Sequence, residues 1–291
     1  MRRLSTDELH QLNSIPSSRH TLPMKAHGIF SHRQLATNGW TKYAINAALN
    51  SGRLKRVTRG WYATASADPN VIRSLTHHGR LGCLSGCRFY GLWTPPTQAL
   101  HVVYGSNQHP KHGKGILFHY TNHAKPCAPI WSLLDCLDQV LHRHSTEEAL
   151  IVLESAVNLG LITVTDARRI CYARPTYGKP ALRYLNRAES GSETRVRLIF
   201  QQRKVKVTPQ VEIPGLGRVD MVVGDRLIIE CDSQTYHSSP AQQERDRARD
   251  LIARDLGYDT IRLSYHQIWT TWETTQQSLL RELRRRRHVT R

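Results

Sequence analysis

The sequence predicts a multidomain α/β protein. Its 291 residues are more than one domain usually holds and suggest two or three. Near the amino end, two short helix patterns precede two short strands, and near the carboxyl end the order is helix, strand, strand, helix, strand. Hydrophobic residues make up 39% of the chain, enough for packed cores. We expect three domains, at residues 1–66, 67–180 and 181–291.

The chain is strongly basic. Its 41 Lys and Arg against 23 Asp and Glu give a net charge of +18, which should attract polyanions such as nucleic acids. Residues 1–66 hold 10 basic and 2 acidic residues, whereas residues 181–291 hold 20 and 14. No apolar run approaches the ~20 residues that span a bilayer, and residues 1–15 lack the apolar core of a secretion signal. We therefore expect a cytoplasmic protein with no membrane partner and leave its oligomeric state open.

The cysteines and histidines show no metal-binding motif. Six cysteines are too sparse for a disulfide framework, so we expect them to be reduced. Cys83 and Cys87 are four residues apart, which suits a helix face better than a zinc knuckle, and the histidines from His101 to His144 fit no ligand spacing. Ordinary buried or surface positions are favoured over a zinc site.

The first domain begins with two predicted helices. Ser31 and Gln34 form a capping box that opens a short helix. Thr41 caps a second helix, which ends at Gly52. Four residues form the expected packed face of the second helix: Tyr43, Ala44, Ala47 and Ala48.

A basic hairpin follows these helices. The strands Leu54–Thr58 and Trp61–Thr64 flank a two-residue turn that ends in Gly60. Two helices followed by such a hairpin are typical of a winged helix, which binds DNA or, alternatively, protein. Two residues on the second helix and two on the hairpin are candidates for DNA contact: Lys42, Asn46, Arg56 and Arg59.

This stretch resembles the amino-terminal domain of the AbiEi antitoxin family. The resemblance lies in four short segments: Gly28-Ile29-Phe30-Ser31, Gly39-Trp40-Thr41, Ser51-Gly52-Arg53-Leu54 and Arg59-Gly60-Trp61-Tyr62. In that family the domain binds operator DNA, which implies DNA as a partner here.

The middle domain is predicted to be an α+β scaffold without a catalytic constellation. Helices are expected at Leu81–Trp93, Ile130–His142, Glu147–Leu159 and Thr165–Ile170, strands at Leu100–Tyr104 and Ile116–Tyr120, and a linker at Arg174–Lys179. Gly91-Leu92-Trp93 and Ile130–Leu137 resemble the middle domain of AbiEi-like proteins, which implies a scaffold or a surface for a protein partner.

The third domain opens with a helix that carries an acid on its apolar side. Ser192 is the expected cap of a helix from Glu193 to about Lys204. The spacing of Val196 and Phe200 places Glu193 on the inward face, where a carboxylate needs a cation or a metal. The alternative is a glutamate that is favoured there only by the helix dipole.

Three further acids, Asp220, Glu230 and Asp232, lie on two adjacent predicted strands. If the loop between the strands has three residues, Val223 pairs with Leu227 and all three side chains point to one face. A two-residue loop would turn Asp220 away from Glu230. The apolar neighbours indicate a buried strand pair, which disfavours the alternative that the three acids are ordinary solvent-exposed side chains.

The next helix is expected to begin at Ser239 and to end at Gly257, before a strand at Tyr258–Leu263. Its expected buried stripe comprises four residues: Ala248, Leu251, Ile252 and Leu256. Arg245 and Arg249 lie on its other faces and are further candidates for DNA contact, and one of them would replace the lysine that the nuclease pattern described next usually has. The alternative is helix-surface pairing of Asp246 with Arg249 and of Asp250 with Arg247.

The acids resemble the PD-(D/E)XK nuclease pattern. Asp220, nine intervening residues and Glu230-Cys231-Asp232 follow that pattern, with Asp232 in the lysine position. The segment from about Glu189 to Trp269 resembles an uncharacterised family related to very-short-patch-repair endonucleases. This resemblance implies a restriction-endonuclease-like α/β core and an Mg²⁺- or Mn²⁺-dependent endonuclease.

Roles can be assigned to the acids on that basis. Asp220, Glu230 and the Cys231 carbonyl would hold the metal, since hard cations prefer oxygen ligands. Glu193 would act through water or on a second ion, and Asp232 would be a further ligand or orient a water. His237 is either a general acid or base or a structural histidine.

Two functions remain open at the level of sequence. The first is a metal-dependent DNA endonuclease that a winged helix targets, in phage defence or DNA repair. The second is an AbiEi-like DNA-binding regulator or antitoxin whose nuclease fold is degenerate, which the missing lysine favours. An RNA substrate is not distinguished from DNA.

Overall fold

The computed structural model describes residues 27–108, 113–122, 124–232 and 240–289. The chain divides into two compact units: the first comprises residues up to Leu92 and Thr97–Arg143, and the second comprises Trp93–Pro96 and His144 onward. All six cysteines lie in the described ranges, and none of them forms a disulfide. No helix in these ranges is long and apolar enough to cross a membrane.

The first unit begins with a small antiparallel sheet and two helices. Its elements are β1 (Ile29–Ser31), α1 (His32–Thr37), α2 (Lys42–Asn50), β2 (Lys55–Thr58) and β3 (Trp61–Ala63). The strand order is β1-β3-β2. The Ser31 and Gln34 capping box, the Thr41 cap and the hairpin with a two-residue turn are confirmed.

The expected packed face of α2 is partly wrong. Tyr43 is 72% exposed, and Ile45 and Ala48 are the buried residues of the helix. They pack with Leu35 and Trp40 in one core. The apolar character of Tyr43 predicts a packed position, but Tyr43 lies one residue outside the stripe that faces this core.

The rest of the first unit is a second three-stranded sheet with helices. Its elements are α3 (Pro69–Thr76), β4 (Arg80–Leu81), α4 (Cys83–Phe89), β5 (Leu100–Gly105), β6 (Ile116–Thr121) and α5 (Leu133–Arg143). The strand order is β4-β5-β6, with β5 parallel to β6. The predicted Leu81–Trp93 helix is shorter than expected, because Leu81 pairs with Val102 in the sheet and Gly91 follows the helix with φ +83°.

The second unit begins with four helices. They are α6 (Thr146–Asn158), α7 (Val164–Ala173), α8 (Pro175–Tyr184) and α9 (Gly191–Gln202). The linker expected at Arg174–Lys179 is wrong, because α8 covers most of it. Proline is compatible with the first turn of a helix, where Pro175 lies. Gly178 allows close packing, since a Cβ there would lie 1.9 Å from the carbonyl oxygen of Cys171.

A four-stranded sheet follows. Its elements are β7 (Val207–Ile213), β8 (Gly217–Val223), β9 (Leu227–Cys231), α10 (Pro240–Asp255), β10 (Asp259–Leu263), α11 (Tyr265–Trp269) and α12 (Trp272–Arg284). The order is β10-β9-β8-β7, with β10 parallel to β9 and the other pairs antiparallel. The expected helix, two strands, helix and strand are present. The sequence did not predict β7, an edge strand that tolerates Pro209.

The expected buried stripe of α10 is wrong. Leu251, Ile252 and Leu256 are 63%, 41% and 47% exposed, and Ala248 is also exposed. Among the side chains of α10 that the structure describes, Ala253 is instead the buried one, in a core shared with β8 and β9. The sheet-facing side of α10 carries charged residues that pair with charges on the strands, so apolar spacing gave the wrong face.

Candidate active site

The register of β8 and β9 agrees with the three-residue loop. Val223 pairs with Leu227, and the ladder continues to Met221 opposite Ile229. Beyond this pair, side-chain carboxylates accept hydrogen bonds from the backbone N–H groups of the facing strand. The backbone N–H of Asp220 donates to Glu230 Oε2 at 3.1 Å, and the N–H of Cys231 donates to Asp220 Oδ2 at 2.7 Å. The two carboxylates are therefore held at the end of the paired region.

Glu193 lies in the first turn of α9, but the predicted cap is wrong. Ser190 is the N-cap, and its Oγ accepts from the Glu193 N–H. Ser192 is buried inside the helix, where its Oγ accepts from Trp269 Nε1 at 3.0 Å. The inward position of Glu193 is confirmed, since the residue is 5% exposed.

Gln210 on β7 is a site residue that sequence reasoning did not identify. Its Nε2 donates to Glu193 Oε2 at 2.8 Å, while its buried Oε1 has no hydrogen-bond partner among the described residues. Its φ of +52° is unusual for a residue with a side chain and is a sign of a constrained site. The signal in the sequence is that Gln210 lies within the segment from about Glu189 to Trp269 that resembles nucleases.

Burial raises the pKa of each of three acids in this region. For Glu193 and Glu230, the charge of Asp220 raises the pKa further. For Asp220, burial is the largest cause, and the hydrogen bond from Cys231 opposes it. Negative charge is thus disfavoured here unless a cation is added, and a bound divalent ion would reverse the effect.

Arg249 contacts one acid of this group. Its Nη2 lies 3.3 Å from Glu230 Oε1 and donates to the Arg218 carbonyl at 2.9 Å. Asp232, at the exposed end of β9, has a pKa that burial raises and Arg262 lowers. The conventional lysine position is thus acidic, with guanidinium groups nearby.

The alternative pairing on the surface of α10 is wrong. Asp246 and Asp250 pair with Arg262 on β10, at 3.9 and 2.9 Å, and Arg247 pairs with Glu244. Asp246 and Asp250 therefore pair across to the sheet, whereas Arg247 pairs along the helix with a different acid from the one expected.

The remaining predicted site residues have no contact with this group among those described, or they lie outside the described residues. Lys42 and Asn46 on α2, Arg56 on β2 and Arg59 in the hairpin turn are exposed, in the first unit. In the second unit, Arg245 is exposed on α10. His237 lies outside the described residues.

Comparison with known proteins gives a family match in the carboxyl-terminal region. A restriction endonuclease-like family model, REase_MTES_1575, matches residues 193–283. Two relatives are Uncharacterized protein MT2308 from Mycobacterium tuberculosis (strain CDC 1551 / Oshkosh) and Uncharacterized protein Rv2248 from strain ATCC 25618 / H37Rv. Each is 25% identical over 251 residues, which cover 76% of this chain and 89% of the relative.

These matches do not support the resemblance to AbiEi proteins. The family match begins at Glu193 and includes Asp220, Glu230 and Asp232. The carboxyl-terminal region of this chain is therefore similar to restriction endonuclease-like domains, a similarity that suggests nuclease activity and DNA as the substrate class.

Proposed function

We propose that residues 181–291 form a metal-dependent DNA endonuclease, that residues 1–66 form a winged helix that brings it to DNA, and that residues 67–180 connect the two or bind a protein partner. The observation that carries the proposal is the group formed by Glu193, Gln210, Asp220 and Glu230. Burial raises the pKa of its three acids, and its amide oxygen has no hydrogen-bond partner among the described residues.

This group fits Mg²⁺ or Mn²⁺, because its donors are oxygen atoms. Asp220, Glu230 and the Cys231 carbonyl would hold the ion, and Glu193 with Gln210 Oε1 would bind it through water. When bound, such an ion supplies charge stabilisation at the phosphate and lowers the pKa of a water molecule.

The surrounding residues supply the other functions that phosphodiester cleavage needs. Arg249, beside Glu230, offsets phosphate charge in place of the conventional lysine. Asp232, at the end of β9, orients a water as a hydrogen-bond acceptor. His237 either transfers a proton to or from the reacting oxygens or is structural.

The first prediction concerns cleavage. Asp220→Asn and Glu230→Gln keep the acceptor atoms that the backbone N–H groups use but remove the charge. We expect each to lower Mg²⁺-dependent cleavage of plasmid or linear DNA by about 10²- to 10³-fold, comparable to the loss of a major charge-stabilising group. Glu212→Gln, an exposed acid on β7, is the matched control and should cleave normally. Wild-type cleavage by the Asp220→Asn, Glu230→Gln double variant would refute the site.

The second prediction concerns delivery to DNA. Residues 1–66 have a large excess of basic residues, and Lys42 and Arg56 are exposed. Each residue that contacts a phosphate should contribute about one unit to the salt dependence of binding. We expect Lys42→Ala and Arg56→Ala each to reduce that slope in fluorescence-anisotropy titrations with duplex DNA. Arg169→Ala, in the second unit, should leave it unchanged. Unchanged slopes in all three variants would exclude these contacts.

A second candidate function is an AbiEi-like regulator with a degenerate nuclease fold. The observation that favours it is Asp232 in the lysine position, at the exposed end of β9. DNA binding that depends on Lys42 and Arg56, with no cleavage in Mg²⁺ or Mn²⁺, would support this function over the nuclease.

A further inference from the structure

Three side chains with metal-binding chemistry meet in the first unit. They are Cys83 at the start of α4, His101 on β5 and His119 on β6, and all three are buried. Their ligand atoms lie within 4.8 Å of one another. We propose that they bind a zinc ion, at a site separate from the carboxylate group of the second unit.

The two histidines are brought together by the register of parallel strands. His101 pairs with Leu117, and Val103 pairs with His119. The histidines are thus two positions apart in register, and because side chains alternate along a strand they lie on the same face. Their rings stack with centroids 5.1 Å apart, and His101 Nδ1 lies 3.0 Å from His119 Nε2.

The backbone around Cys83 is constrained. Its φ of +50° lies in the left-handed region, and its N–H donates to Gln139 Oε1 at 2.8 Å. A Cβ on the preceding Gly82 would lie 2.7 Å from Val103 Cγ2, so β5 closely approaches this turn. Strained conformations of this kind persist where the surroundings impose them, and they cluster at functional sites.

One thiolate and two imidazoles are a preferred ligand set for zinc. Zinc–nitrogen bonds of about 2.0–2.1 Å in tetrahedral geometry place two ligand nitrogens about 3.4 Å apart. The observed 3.0 Å is close to that separation, so a small outward shift of the rings would admit the ion. The fourth ligand would be water or another side chain. The competing explanation is a hydrogen-bonded imidazole pair without metal.

Zinc content of the purified full-length protein tests the proposal. We expect Cys83→Ser to hold about one zinc fewer per chain than wild type by elemental analysis. Cys87→Ser is the matched control, because Cys87 is equally buried on the same helix but is not one of the three ligands. Equal zinc in wild type and a folded Cys83→Ser variant would overturn the proposal. Among histidine variants, His101→Gln and His119→Gln should behave like Cys83→Ser.

A measurement on wild type decides the question even if Cys83→Ser does not fold. Protein saturated with zinc under reducing conditions should show, by zinc-edge X-ray absorption, a sulfur neighbour at about 2.3 Å and nitrogen neighbours at about 2.0–2.1 Å. A shell of oxygen and nitrogen without sulfur, or no bound zinc, would overturn the site. The Co²⁺ form should likewise show a thiolate charge-transfer band that Cys87→Ser retains.

Discussion

Two buried acidic regions of the second unit are stabilised in different ways. Glu154 on α6 accepts two hydrogen bonds from Arg197 Nη2, at 2.5 and 2.7 Å, one from Thr194 Oγ1 and one from the Asn186 N–H. In the other region, Glu193 accepts from neutral groups. Burial raises the pKa of both acids, but the charge of Arg197 opposes the rise at Glu154, whereas the charge of Asp220 adds to it at Glu193. One buried carboxylate thus has a full cation within the chain, whereas the other belongs to a group of like charges.

Both regions use α9, which makes the comparison direct. Arg197 lies one turn after Glu193 on this helix, and both are buried. The side chains of Glu154 and Arg197 are 1% and 0% exposed, so solvent does not screen the attraction between their charges. Arg197 thus offsets the buried charge of Glu154 within the chain, whereas the like charges around Glu193 support the proposal that a cation from outside the chain binds there.

The largest expected effect in this comparison is on stability. Arg197→Met would leave the Glu154 carboxylate buried without its cation, which typically costs about 3–5 kcal/mol. We expect that loss in urea denaturation of metal-free protein. Asp220→Asn, which removes one of several like charges, should lower the free energy of unfolding by less than about 1 kcal/mol or raise it.

Arg169→Met is the control for loss of an ordinary ion pair. Arg169 is 77% exposed and lies 3.7 Å from Asp166, so we expect a change between 0 and about 1 kcal/mol. Equal destabilisation by Arg197→Met and Asp220→Asn would remove the distinction between the two regions.

Much of the acidic group follows from local sequence rules. A three-residue loop and the two-residue period of strands bring Asp220 and Glu230 together, and helical spacing turns Glu193 inward. The place of Gln210 in this group could not be predicted from these rules, because β7 contains a proline and the contact with Glu193 depends on tertiary packing. The partner of Glu154 was likewise not predictable, since Arg197 lies 43 residues away.

Two other features, the buried face of α10 and the cluster around Cys83, could be identified only from the folded structure. The buried face of α10 was misassigned because Arg249 and Asp250 bond to charges on the sheet, while Leu251 is exposed. Spacing rules for metal sites describe ligands close in sequence. They did not anticipate Cys83 and His119, which meet through the sheet of the first unit.

An intermediate effect is expected from metal binding. An ion that binds only the folded state stabilises it by about 1.4 kcal/mol at a concentration ten times its dissociation constant. We expect Mg²⁺ to raise the free energy of unfolding of wild type by this amount in urea titrations. Asp220→Asn should lose the increase, and Glu212→Gln should keep it. An equal increase in both variants would place the ion elsewhere.

The smallest effect is expected in the pH dependence of stability. Because burial raises the folded-state pKa of Glu193, Asp220 and Glu230, the folded chain holds more protons than the unfolded chain between the two pKa values. Their contribution to the free energy of unfolding must therefore fall as pH rises from about 4, the unfolded value, through the raised folded values. The upper limit of about 1.4 kcal/mol per pH unit applies only to a group that is fully protonated in one state and fully ionised in the other, so we expect each group to add well below this limit to the slope.

Urea denaturation over this pH range, in the presence of a chelator, tests whether the free energy of unfolding falls as pH rises. Glu193→Gln should have a shallower decline than wild type, because it removes one titrating acid, whereas Glu212→Gln should match wild type. Saturating Mg²⁺ should oppose the decline, since the ion binds the ionised carboxylates and its stabilisation grows with pH. The Glu154–Arg197 pair would remain unaffected by Mg²⁺. Identical slopes for wild type and Glu193→Gln, with and without Mg²⁺, would mean that Glu193 does not titrate with a raised pKa in the folded chain and needs no external cation.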